Sequence, residues 1–175
     1  MYDKEFYNLV DKHNLTIAQA EGFLTAYCAL EHNLNHPKYG NRWEILSARR
    51  SLTRVIYEAS LIKISGYMTE DAKSILVNKL LDKKEKKKLT TDDHILSPQS
   101  YAHFICTRWD LFKDDLDNFF SHMLLLSTTV KSTVEENNKF KKFTVNDATT
   151  GNVLRLRVPT EKRYEAAGVK KLFNK

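Results

Sequence analysis

The sequence predicts a mostly helical α+β protein, in which an N-terminal helical unit is followed by a part containing a small β-sheet or hairpin. Apolar residues recur at helical spacing through most of the first half, while only three stretches of the second half have strand character. A chain of 175 residues with 42% hydrophobic and 11% aromatic content can close a real core, enough for one compact domain or a helical domain with a small appendage. That composition excludes wholesale disorder and collagen-like or low-complexity classes. A boundary near residue 82 gives a helical unit over 1–82 and an α+β part over 83–175, readable also as one continuous domain.

Thr16 with Gln19 three residues on is a capping-box start, and Ile17–Leu34 then carries Ala20, Phe23, Leu24, Tyr27 and Leu30 or Leu34 at helical spacing. The turn-rich stretch 35–41 breaks the pattern. A second, longer helix carries Trp43, Ile45, Leu46, Leu52, Val55, Ile56, Ala59, Leu61 and Ile62 and is expected to stop at Gly66. The third begins near Thr69, carries Ala72, Ile75, Leu76, Leu80 and Leu81, and dissolves into Lys83-Lys84-Glu85-Lys86-Lys87-Lys88.

In the second half, Pro98 after Ser97 is a proline at a first helical position and opens a short helix to about Thr107. An amphipathic segment with Leu111, Phe112, Leu116, Phe119, Phe120, Met123 and Leu124 follows, then a strand over Leu126–Lys131. Thr133 with Glu136 repeats the capping box and opens a helix through about Lys141. Phe143–Val145 and Val153–Val158 form a hairpin around Thr150-Gly151-Asn152, and a last helix over Thr160–Ala167 stops at Gly168.

Lys and Arg number 28 against 22 Asp and Glu, a formal net charge of +6 that favours polyanionic partners, nucleic acid first. Cys28 and Cys106 match neither a disulfide framework nor a paired zinc site, so both are expected to be buried thiols in a reducing compartment. No apolar run approaches the roughly 20 residues of a membrane span and the first residues lack a signal-peptide pattern, so a soluble cytoplasmic protein is expected. With only 5 Gly, nucleotide-binding folds have little support.

The densest reactive set is Asp92-Asp93-His94, followed by Ser97-Pro98-Gln99 and, much later, Glu135-Glu136-Asn137-Asn138. At a strand edge, an Asp-His pair can divide its work: the carboxylate takes a hard divalent cation and the imidazole deprotonates a water. The run Asp93-His94-Ile95-Leu96-Ser97-Pro98 resembles the first motif of HNH, or ββα-metal, nucleases, which reads Asp-His-Ile-x-x-Pro, over about residues 88–142. The wider run also resembles small proteins of T4-like phages. The resemblance implies a metal-dependent endonuclease acting on DNA, with Asp93 binding Mg²⁺ or a similar ion, His94 activating water, and Asn137 or Asn138 as second metal ligand. The family's middle residue has Thr128 as its nearest counterpart, with His122 as a substitute, and the cysteine pairs that often brace the fold are absent. Turn residues and a core-edge histidine would account for the same Asp-Asp-His run in a protein without catalysis.

Lysines 79, 83, 84, 86, 87 and 88 stand directly before the acidic pair, where Lys83, Lys84, Lys86, Lys87 and Lys88 could neutralise backbone phosphates, or simply form a solvated helix end. Arg50 and Arg54 share a helix face at four-residue spacing and could add a second stripe, and Arg155, Arg157, Lys162 and Arg163 a third patch. The competing functional class is a non-catalytic phage factor that binds nucleic acid or a host protein through the same charges.

Overall fold

Asp3 opens the chain's first helix by accepting the Phe6 N–H at 2.9 Å, a cap that the apolar spacing alone did not announce. The computed structural model describes residues 2–34, 42–96, 98–140, 144–146, 153–155 and 172–174. In chain order the elements are α1 (Lys4–Lys12), α2 (Ile17–Leu34), α3 (Arg42–Ser60), β1 (Ile64–Thr69), α4 (Glu70–Val77), α5 (Lys83–Leu89), β2 (Thr90–His94), α6 (Pro98–Thr107), a 3₁₀ turn (Trp109–Leu111), α7 (Leu116–Ser127), β3 (Thr128–Thr133), α8 (Val134–Phe140), β4 (Thr144–Asn146), β5 (Val153–Arg155) and β6 (Leu172–Asn174). The fold is mostly helical α+β. The turn at 35–41, the tip of the late hairpin, the helix expected over Thr160–Ala167, and Arg157, Lys162 and Arg163 lie outside the described residues.

Two compact units divide the chain: Met1–Lys63 with Pro98–Ser127, and Ile64–Ser97 with Thr128–Lys175. This division differs from the single boundary at residue 82 drawn from sequence. The physical reason lies in α6 and α7, whose Ala102, Ile105, Phe119, Phe120 and Met123 are fully buried and pack with α3 and α2 of the helical unit.

The first unit is built of α1, α2, α3, α6, the 3₁₀ turn and α7. Ala20, Phe23, Tyr27 and Leu30 form the buried face of α2, as the helical spacing requires, and the Thr16–Gln19 capping box is present with both bonds made. Phe23 meets Phe120 edge-on at 5.7 Å, and Tyr27 contacts Trp109 and Phe119, each at 5.3 Å. Cys106 is buried as expected. Cys28 is exposed instead, because it falls off the Phe23–Tyr27–Leu30 face of α2.

The second unit holds a mixed four-stranded sheet in the order β2-β3-β1-β6, with β4 and β5 as a separate antiparallel pair where the hairpin was expected. Here the long second helix needs correction: α3 ends at Ser60, and Gly66 lies inside strand β1 rather than at a helix terminus. β1 runs parallel to β3, with a register shift between Ser65 and Tyr67 that skips Gly66. A Cβ at Gly66 would collide with Thr128 Cγ2 and lie 3.4 Å from the Thr129 carbonyl, so the glycine permits close strand approach. The lysine run is also more than a fraying end. It is the separate helix α5, opened by an Asp82–Glu85 capping box.

Candidate active site

The site predicted from sequence falls in the second unit, on β2, β3 and α8. Strand β2 pairs antiparallel with β3, matching Asp92 with Lys131, Asp93 with Val130 and His94 with Thr129. The segment Pro98–Ser127, which joins these two strands along the chain, belongs to the helical unit, so the long interval between the motifs does not prevent the strands from pairing. β3 runs directly into α8, and α8 packs on both strands. Two antiparallel strands followed by a helix packed on them is a ββα arrangement. It carries Asp93 and His94 on the first strand and Asn137 and Asn138 on the helix.

Strand alternation separates the neighbours Asp93 and His94. Successive side chains leave opposite faces, so Asp93 shares a face with Thr91, Val130 and Ser132, and His94 shares the other with Asp92, Thr129 and Lys131. The ion pair between Lys131 Nζ and Asp92 Oδ2 at 2.7 Å fits this assignment. A site using both Asp93 and His94 therefore lies at the end of β2, where the strand stops at His94, rather than on either face of the sheet. Just beyond, the Ile95 N–H donates to the Thr128 carbonyl at 3.1 Å, placing Thr128 beside that end. His122, the other candidate for the middle position, lies on α7 in the helical unit, where Nδ1–H donates to the Asn118 carbonyl at 2.8 Å.

On α8, a capping box and a buried carboxylate set the helix in place. Glu136 N–H donates to Thr133 Oγ1 at 3.1 Å, and Glu136 Oε2 accepts the Thr133 N–H at 2.8 Å and the Thr69 hydroxyl at 2.8 Å. Thr69 in turn caps α4 by accepting the Ala72 N–H at 3.1 Å. Residues 133, 136 and 137 share one helical face. Asn137 is half-buried and Asn138 exposed, and because Thr133 pairs with Thr90 while His94 pairs with Thr129, α8 starts from the end of β2 opposite His94.

For a divalent cation, Asp93 and Asn137 are hard oxygen donors of the type Mg²⁺ takes. Among the described residues no cluster of three or more His, Cys, Asp or Glu could hold a metal. The protein would then supply one or two oxygens, with water and substrate phosphate completing the shell, which is ordinary for Mg²⁺.

The cationic candidates separate by unit. Lys83, Lys84, Lys87 and Lys88 are exposed on α5, with Lys86 half-buried. α5 passes into β2 without an intervening loop, and Thr90 Oγ1 donates to the Lys86 carbonyl at 2.9 Å across the join. Lys83 and Lys84 stand in the first turn, where positive charge opposes the helix dipole, so helix stability does not account for their placement. Arg50 and Arg54 lie on α3 in the helical unit, and Arg54 Nε is paired with Glu58 at 2.9 Å.

Sequence reasoning missed Lys131 and the Thr69–Glu136 link. Neither has a local signal, since both depend on strand register. Comparison with protein-family models, curated proteins and solved structures finds no match.

Proposed function

We propose that this chain is a metal-dependent endonuclease of the ββα type acting on DNA, working in the cytoplasm of a cell as a phage-encoded factor would. The observation that supports it is the β2–β3–α8 unit, which carries Asp93-His94 on the strand and a half-buried Asn137 on the helix. In this reading a His94 ring nitrogen accepts a proton from water while the water oxygen attacks phosphorus and one ester oxygen departs. Asp93 and Asn137 would hold Mg²⁺ or a similar ion, which supplies charge neutralisation at the phosphate oxygens. The α5 lysines hold the phosphate backbone without reading sequence.

The second reading is a non-catalytic factor that binds nucleic acid or a host protein, and the exposed charge of α5 favours it because that surface needs no metal. Thermal denaturation against Mg²⁺ and Ca²⁺ separates the two. The nuclease reading expects metal-linked stabilisation that Asp93→Ala removes. Identical metal responses of the two proteins would leave the binding factor.

A further inference from the structure

We infer that Lys131 is a phosphate-binding residue flanking the candidate site, held by Asp92 on the face of the β2–β3 pair that also carries His94. The inference rests on the reading of this site as one that takes a nucleic-acid backbone, and it adds a cation that neither α5 nor the Asp-His motif contains. Register carries the geometry: Lys131 stands directly opposite Asp92, and His94 follows two residues along the same strand face. That spacing is about 7 Å along β2, roughly the reach between a group acting on phosphorus and one holding a phosphate oxygen.

The ion pair has a character suited to the role. Lys131 and Asp92 retain 20% and 25% side-chain exposure, so the ammonium is largely covered yet open to an approaching anion. Among the described residues the ammonium donates only to Asp92, which leaves two of its three N–H groups available. Partial desolvation strengthens its attraction for an oxyanion relative to a fully solvated lysine. Asp92 restricts the flexible side chain to one place, so less rotamer freedom is lost when phosphate binds.

A cross-strand ion pair can also be purely structural, and the test separates that case. Anisotropy of a fluorescein-labelled mixed-sequence DNA duplex is measured in EDTA against salt for the full chain, for Lys131→Met and Lys131→Arg, and for the double variant Lys131→Met with Asp92→Asn. Phosphate contact predicts that Lys131→Met weakens binding roughly tenfold near 0.1 M salt and lowers the slope of log affinity against log salt by about one. Lys131→Arg should keep most of the affinity. The double variant also removes the Asp92 charge, so a purely structural pair would recover wild-type binding in it, whereas phosphate contact leaves binding weak. Recovery in the double variant, an unchanged slope in Lys131→Met, or no duplex binding by the wild-type chain overturns the inference. Because hydrolysis is not read in EDTA, a Lys131-dependent slope in a chain that never cleaves would keep this inference while removing the nuclease. Cleavage with an unchanged slope in Lys131→Met would do the reverse.

Discussion

The Thr69 hydroxyl donates to Glu136 Oε2 at 2.8 Å, joining the end of β1 to the first turn of α8, 67 positions later in the chain. Each of these strands ends in a threonine that caps the helix after it, and the single Glu136 carboxylate links both caps. Glu136→Ala would leave the buried Thr69 hydroxyl and Thr133 N–H without their acceptor, an expected loss of about 2–4 kcal/mol. Urea unfolding should show a lower midpoint at unchanged m. A midpoint equal to wild type would mean the link contributes nothing to stability.

Gly66 presents a different constraint. An added Cβ meets Thr128 Cγ2, a short β-branched group that cannot swing aside, so Gly66→Ala should cost about 1–3 kcal/mol as overpacking. Thr128→Ala in the same chain removes the opposing methyl and should recover part of that loss. Additive destabilisation in the double variant would locate the cost elsewhere in the strand.

In the helical unit, hydrogen bonds from Lys12 and then His13 hold the Asp117 carboxyl below the ordinary aspartate range. A depressed folded value contributes stability that is fully present above the unfolded value near 3.8 and is lost as pH falls through the folded one. Because the Asp117 side chain is 41% exposed, the effect is screened and small. Melting temperatures of wild type and Asp117→Asn should differ at pH 6 and converge as the pH drops below about 4. A constant difference across that range contradicts the linkage.

Neutralising Lys83, Lys84, Lys86, Lys87 and Lys88 together should weaken binding to unrelated nucleic-acid sequences alike and flatten the salt dependence. These side chains are exposed or half-buried, so the change leaves the core untouched. Unaltered affinity and slope would make α5 a solvated helix and nothing more. Loss of binding to one sequence alone would make it a reader of bases.

What the sequence made legible was local. Ile17–Leu34, the Pro98 start and the Thr133–Glu136 box each announce themselves within a few residues, and each stands in the structure. β1 escaped because Leu61, Ile62 and Ile64 prolong the helical spacing of α3, and Gly66 imitates a helix stop. Its true role depends on Thr128 in a strand 62 positions later. α5 has no apolar face for periodicity to detect, although Asp82 with Glu85 was an available capping signal. In the candidate site, the Asp-His motif was visible as letters, while the partners Asp92 and Lys131 emerge only from the β2–β3 register.

Hydrolysis at His94 is read by the nicking of supercoiled plasmid by the purified full chain. With Mg²⁺ or Mn²⁺ present, the wild-type chain should convert supercoiled to open-circular DNA, EDTA should stop it, and His94→Ala should slow it by about a hundredfold or more. Cleavage by His94→Ala at the wild-type rate, or no metal-dependent cleavage by the wild-type chain, would rule out His94-dependent hydrolysis.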